Sequence, residues 1–220
     1  MSTTEDEIIV AYPKSADFAW KIVEVAHQLN IDPSWLANII QSESRFNIVA
    51  LNADSNAAGL IQFIPSTAQY VIKQLYGINL SKSEATQYVL SLGAVEQLDM
   101  ARYYLGQYGE LKSQSDVVLA VFYPAAIGKE DDFDIADHYA RVVRKREVGS
   151  TEYWNSYNYL VDINGGINYA GDYEKNLSSA WKLEPAPSYN GNGLQQSSLV
   201  PLAIVLGIAA IGSMLLIGKK

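Results

Sequence analysis

Glu43 is the residue whose surroundings most favour acid–base chemistry. The apolar run WLANII at residues 35–40 lies just before it, and Phe46 and Ile48 lie just after it. A carboxyl group in such surroundings loses hydration, so its protonated form is favoured and its pKa should rise. The residue types therefore predict a general acid that works near neutral pH.

The segment that follows predicts a place where a polymer could lie. Residues 52–59 read NADSNAAG, a stretch of small and amide side chains. Such a loop lets a substrate approach the backbone closely. Gln62 then presents an amide, and residues 63–65 (FIP) anchor the turn.

The order of these elements resembles the motif of the lytic transglycosylases, lysozyme-like enzymes with an SLT domain that cleave peptidoglycan. The matching pieces are Glu43-Ser44, Phe46-Asn47, residues 55–62 (SNAAGLIQ) and residues 65–68 (PSTA). The resemblance covers about residues 31–128. Residues 158–172 are also similar to a C-terminal segment of some phage-encoded members.

The resemblance implies a mechanism with one carboxyl group, whereas ordinary glycosidases use two. Glu43 would act first as acid and then as base, while the substrate's own C6 hydroxyl attacks C1 and leaves a 1,6-anhydromuramic end. Gln62 and Tyr123 would contact the sugar or its N-acetyl group and stabilise the positive charge at C1. The substrate-contacting serine of the family corresponds to Ser55 or to Asn52, and the spacing leaves both open.

Two features keep other functions open. Asp54 could position water in a muramidase-type hydrolase, although a turn-stabilising role is the favoured interpretation. Tyr123 is followed by Pro124, where the family has asparagine. This departure, with the open choice between Ser55 and Asn52, keeps a catalytically inactive, membrane-anchored structural virion protein as a third hypothesis.

A mainly α-helical, lysozyme-like domain over residues 15–183 is expected to position these side chains, after a tail at residues 1–14. Asp32 and Pro33 form a helix start, Ser81 with Glu84 forms a capping box, and Gly77 is expected to end the helix at 66–76. Apolar spacing places Val95 on an inner helix face with Leu98, Ala101 and Leu105. The predicted helices cover residues 16–30, 33–43, 66–76, a stretch from 82 onwards, 94–108 and 117–122.

Composition excludes several classes of function. The chain has 220 residues, 49% of them hydrophobic, which is too many for a disordered protein. It has no cysteine and two histidines far apart, so we predict no disulfide, no thiol nucleophile, no Cys-ligated zinc and no His-rich metal site. No cofactor is expected either. The net charge of −8 argues against nucleic-acid binding, which needs a basic surface.

A membrane anchor is predicted near the C-terminus. Residues 199–217 carry no charge, and a helix of this length spans ~28 Å, close to the ~30 Å of a bilayer core. Residues 184–198, rich in Pro, Gly, Asn and Ser, are predicted to be a linker. The first ten residues contain neither the basic region nor the apolar region of a secretory signal peptide, so no signal peptide is expected.

These features together suggest a location. The expected substrate lies outside the inner membrane, yet no export signal is predicted and the anchor leaves the enzyme on the side of synthesis. A phage particle with a lipid membrane resolves this conflict, since the particle delivers the enzyme to host periplasmic peptidoglycan from outside. The hypothesis is a virion-membrane protein, in contact with other virion proteins, that helps the genome cross the cell wall.

Four weaker features have simpler explanations. Residues 162–172 are a poor copy of a calcium loop, so a glycine-rich turn is favoured. His138 is assigned to the surface or to a helix cap, and residues 141–146 (RVVRKR) to a solvated helix end that could instead touch lipid or peptidoglycan. A glycan-stacking surface and simple packing both remain open for Trp154 and its neighbours Tyr153, Tyr157 and Tyr159.

Overall fold

A computed structural model describes residues 16–163 and 169–170, which form a mainly α-helical domain as predicted. Within these residues no helix is both long and apolar enough to cross a membrane. The predicted tail at 1–14, the linker at 184–198 and the membrane helix at 199–217 lie outside the described residues. So does the candidate calcium loop, apart from 162–163 and 169–170.

Eight α-helices make up most of the described residues. In chain order they are α1 (Ala16–Gln28), α2 (Pro33–Ser44), α3 (Pro65–Tyr76), α4 (Lys82–Ser91), α5 (Ala94–Gly106), α6 (Gln114–Phe122), α7 (Ile135–His138) and α8 (Thr151–Ile163). A 3-10 turn at Pro124–Ala126 follows α6, and a π-helical turn at Tyr139–Val143 continues α7.

The predicted helix signals are confirmed at three ends. The Asp32 carboxylate accepts a hydrogen bond from the Ser34 amide at 2.8 Å, so it caps α2. Both halves of the capping box join Ser81 and Glu84 at the start of α4. Helix α3 ends at Gly77, whose φ of +70° is a left-handed conformation that glycine adopts without strain.

Helix packing brings the end of α2 inside the domain. Helix α2 packs against α1 and α6, while α3 packs against α4 and α5. Residues 117–122 of α6 are all buried, which confirms the predicted helix there. The C-terminal turn of α2 is therefore enclosed by apolar neighbours.

The inner face of α5 differs from the predicted one. Val95 is 41% exposed. The buried stripe is centred on Gln97, Ala101 and Tyr104, and at 100° per residue this places Val95 outside it. The prediction was wrong because it followed the apolar residues alone, whereas the buried face includes the polar residue Gln97.

Candidate active site

The Glu43 carboxyl is buried in the last turn of α2. The residue is only 8% exposed, and within the described residues no hydrogen bond or ion pair to its carboxyl is formed. Burial therefore raises the pKa of Glu43 well above its ordinary value, as the apolar flanks predicted. A carboxyl group whose pKa is raised in this way keeps its proton to higher pH, as a general acid requires.

The chain turns sharply directly after Glu43. Arg45 and Phe46 both have left-handed backbone conformations, with φ of +53° and +58°. Such angles are uncommon for residues with a side chain, so the surrounding structure must stabilise them. Phe46 is buried, and its ring packs edge-to-face against Phe18 with the centroids 5.9 Å apart.

Asn52 organises the loop of small residues. Its side-chain oxygen accepts hydrogen bonds from the Asp54 and Ser55 amides, both at 2.9 Å. The Ser55 hydroxyl oxygen in turn accepts one from the Ala57 amide at 3.2 Å. Asp54 itself is exposed, and in the described part of the chain its carboxylate bonds to no other residue. The turn-stabilising role assigned to Asp54 therefore belongs to Asn52.

Gln62 holds the far end of this loop. Its side chain is buried, and its amide nitrogen donates to the Gly59 carbonyl at 3.0 Å and to the Ala50 carbonyl at 3.4 Å. Two backbone hydrogen bonds between Ala58 and Phe63, at 2.9 and 3.0 Å, close the turn. The Gln62 amide that was expected to contact a sugar thus also maintains the shape of the loop.

Gln97 is a site-supporting residue that the sequence interpretation missed. It is 0% exposed, its side-chain oxygen accepts from the Leu60 amide at 2.9 Å, and its nitrogen donates to the carbonyls of Ile48 at 2.8 Å and Val89 at 3.0 Å. Gly59 packs against it so closely that a Cβ atom there would lie 2.5 Å from the Gln97 oxygen. The loop is therefore bonded to α4 and α5 through one buried amide.

The segment that carries Glu43 and this loop also has a match among known protein families. Residues 21–119 match the transglycosylase SLT domain. No curated protein and no solved structure matches the chain. The SLT domain contains Glu43, the loop and Gln97, and it covers under half of the chain.

Tyr123 lies just beyond the SLT domain and pairs with His138. The ring of Tyr123 is 0% exposed, and its hydroxyl lies 2.8 Å from Nδ1 of His138. Pro124, which replaces the family's asparagine, begins the 3-10 turn that follows α6. In this conformation Tyr123 bonds to protein rather than to solvent.

His138 is half-buried in the last turn of α7, so of the two places expected for it, a helix end and the open surface, the structure excludes the open surface. Its partner lies fifteen residues earlier in the chain, and Phe133 packs against the same imidazole ring at 5.3 Å. Burial lowers the pKa of His138, Arg141 and Lys129 lower it further, and Asp137 opposes them.

We expect the His138→Gln variant to lose less stability in acid than the wild type. Because folding lowers the pKa of His138, the unfolded chain binds more protons than the folded one as the pH falls below about 6.5. The neutral His138 side chain therefore makes its full contribution to the free energy of unfolding above about pH 6.5, and this contribution is lost at lower pH. Urea unfolding at pH 7.5 and pH 5 measures it.

The control is Gln87→Asn, which changes an exposed side chain of α4 that carries no titratable group. This control should show the same acid loss as the wild type. If the wild type and the His138→Gln variant lost equal free energy of unfolding between pH 7.5 and pH 5, the lowered pKa of His138 would be contradicted.

Two of the aromatic residues of α8, Tyr153 and Tyr157, have the packing role that the sequence left open. The Tyr153 hydroxyl donates to Asp137 at 2.8 Å, and the Tyr157 hydroxyl donates to Asp134 at 3.2 Å. Trp154 packs against both rings and stays half-exposed. Tyr153 and Tyr157 therefore fasten α8 to α7 and the residue that precedes it.

Proposed function

We propose that the protein is a peptidoglycan lytic transglycosylase that cleaves the MurNAc–GlcNAc β-1,4 bond and leaves 1,6-anhydromuramic ends. The observation that carries the proposal is a buried carboxyl, Glu43, with a raised pKa inside an SLT domain. Such a domain implies peptidoglycan as the substrate. Glu43 supplies the protonated acid that cleavage of a glycosidic bond requires.

Glu43 serves both halves of the reaction. It first donates its proton to the glycosidic oxygen as the bond from C1 to that oxygen breaks, and positive charge develops at C1. The resulting carboxylate then accepts the proton of the C6 hydroxyl while O6 bonds to C1. Proton and electrons balance without water, so a second carboxylate is not needed.

Two loop residues are proposed to contact the sugar. The Gln62 nitrogen is used within the loop, but its oxygen bonds to nothing in the described residues and can accept from an N-acetyl amide or a sugar hydroxyl. Of the two candidates for the serine position, Ser55 is more exposed than Asn52 and still has a hydroxyl hydrogen to donate. We therefore favour Ser55 for the contact and Asn52 for holding the loop.

The sugar contact by Tyr123 and the virion membrane as the place of action both remain predictions. A sugar contact by Tyr123 would require its buried ring to move. The virion membrane as the place of action rests on residues 199–217, which lie outside the described part of the chain.

The chemistry of the cut ends tests the proposal. We expect purified sacculi digested by the full-length protein to release muropeptides that lack one water relative to hydrolysed products, as measured by mass spectrometry. Hydrated reducing ends would instead indicate a muramidase-type hydrolase. No release at all would indicate a structural protein without activity.

A further inference from the structure

An open cleft lies between the π-helical turn and helix α8, outside the SLT domain. Its volume is about 440 Å³, within the usual range for a small-ligand site. Its lining includes Tyr139, Arg144 and Arg146 from the π-helical turn and the residues just after it, and Glu152 and Tyr159 from α8. None of these residues lies in α2 or in the loop at residues 52–62, so the cleft and the candidate active site can be changed separately.

Among the described residues, the two arginines of the cleft form no salt bridge with an acidic side chain. Arg141, nearby, is bonded to Asp137 at 2.6 Å. In residues 16–163, by contrast, neither Arg144 nor Arg146 forms an ion pair, and the Arg144 guanidinium lies 6.0 Å from the centre of the Tyr139 ring. In a chain of net charge −8, two unpaired guanidinium groups in one cleft make a local site for carboxylates.

Helix α8 adds groups of a different kind. Glu152, Asn155, Ser156 and Tyr159 are spaced as one helix face, and all line the cleft. Glu152 would repel a phosphate-rich surface but would attract an ammonium group. The lining therefore suits a small ligand that carries both carboxylates and an amine, with amide and hydroxyl groups beside it.

We propose that this cleft binds the stem peptide of peptidoglycan, with its free carboxylates on Arg144 and Arg146 and its ammonium group on Glu152. The choice of this peptide rests on the proposed function, because a glycan-cleaving enzyme meets these peptides on the same polymer. A concave site also fits a short peptide better than a flat lipid surface. The contact would strengthen substrate binding and leave the chemical step unchanged.

Binding of free peptide tests the cleft without any glycan cleavage. Stem peptides released from sacculi by an amidase are titrated calorimetrically into the full-length protein. We expect the double variant Arg144→Gln with Arg146→Gln to weaken binding by about 10–100-fold, since hydrogen bonds to charged groups are lost. Lys145→Gln removes one positive charge from the residue between them, which does not line the cleft, and this variant should bind as the wild type does.

Glu152→Gln supplies a second, independent measurement. It should weaken binding of peptides with a free amine and leave N-acetylated peptides unaffected. On sacculi the double arginine variant should raise KM about 10-fold with kcat unchanged, and on glycan stripped of peptides it should match the wild type.

The outcomes separate this proposal from the enzymatic one. Peptide binding without glycan cleavage would support the peptide site in the cleft and refute the proposed lytic transglycosylase activity. Cleavage without peptide binding would refute the cleft alone, as would equal effects of Lys145→Gln and the double variant. Arginine-dependent binding to anionic vesicles, with no peptide binding, would assign the cleft to lipid and overturn the proposal.

Discussion

The Glu43→Gln variant should release muropeptides from sacculi about 10²–10⁴-fold more slowly than the wild type, because general acid catalysis contributes rate factors of this size. Glutamine fills nearly the same volume but cannot donate the proton. Chromatographic quantification of the released fragments measures the rates. The wild-type rate should also fall as the pH rises through the pKa of Glu43, since the acid form is then lost.

Asp54→Asn is the matched control for this experiment. Asp54 is exposed and lies in the same SLT domain, and the one-carboxyl mechanism gives it no role. It should therefore retain wild-type activity and the same anhydro products. Substantial activity in the Glu43→Gln variant would remove Glu43 from catalysis, and a comparable loss in Asp54→Asn would favour the two-carboxyl hydrolase.

The Gln97→Leu variant should lose about 2–5 kcal/mol of unfolding free energy, because buried backbone groups left without a partner cost ~1–3 kcal/mol each. The Leu60 amide and the Ile48 carbonyl would lose their bonds to the Gln97 side chain. Urea denaturation measures the change. Activity should fall as well at temperatures where the variant is still folded, since the loop is no longer fixed to α5.

Gln87→Leu makes the same substitution on the exposed face of α4. It should change the free energy of unfolding by less than about 0.5 kcal/mol, as is usual at the surface. If Gln97→Leu were no more destabilising than Gln87→Leu, the bridge between the loop and α5 would have no energetic importance.

Local sequence signals were sufficient for several features. Asp32 and Pro33 start a helix and Gly77 ends one through nearest-neighbour chemistry, and both effects are visible in a few residues. The burial of Glu43 followed from the apolar residues on both sides of it. The helix at 117–122 followed from a continuous apolar run among helical neighbours.

Other features depend on partners that are distant in the chain. Gln97 is buried because carbonyls and an amide from residues 8 to 49 positions away surround it, and no local pattern reveals them. The pairing of His138 with Tyr123 is hidden for the same reason. Asn52 and Asp54 are both common turn residues, so only the backbone path decides which side chain accepts the loop amides.

A ¹³C NMR titration of the glutamate side-chain carboxyls, compared between the wild type and the Glu43→Gln variant, measures directly whether position 43 keeps its proton near neutral pH. One resonance, missing from the variant, should titrate well above the ordinary glutamate value of about 4.3. If that resonance instead titrated together with the exposed glutamates, Glu43 would be ionised at neutral pH and could not be the acid.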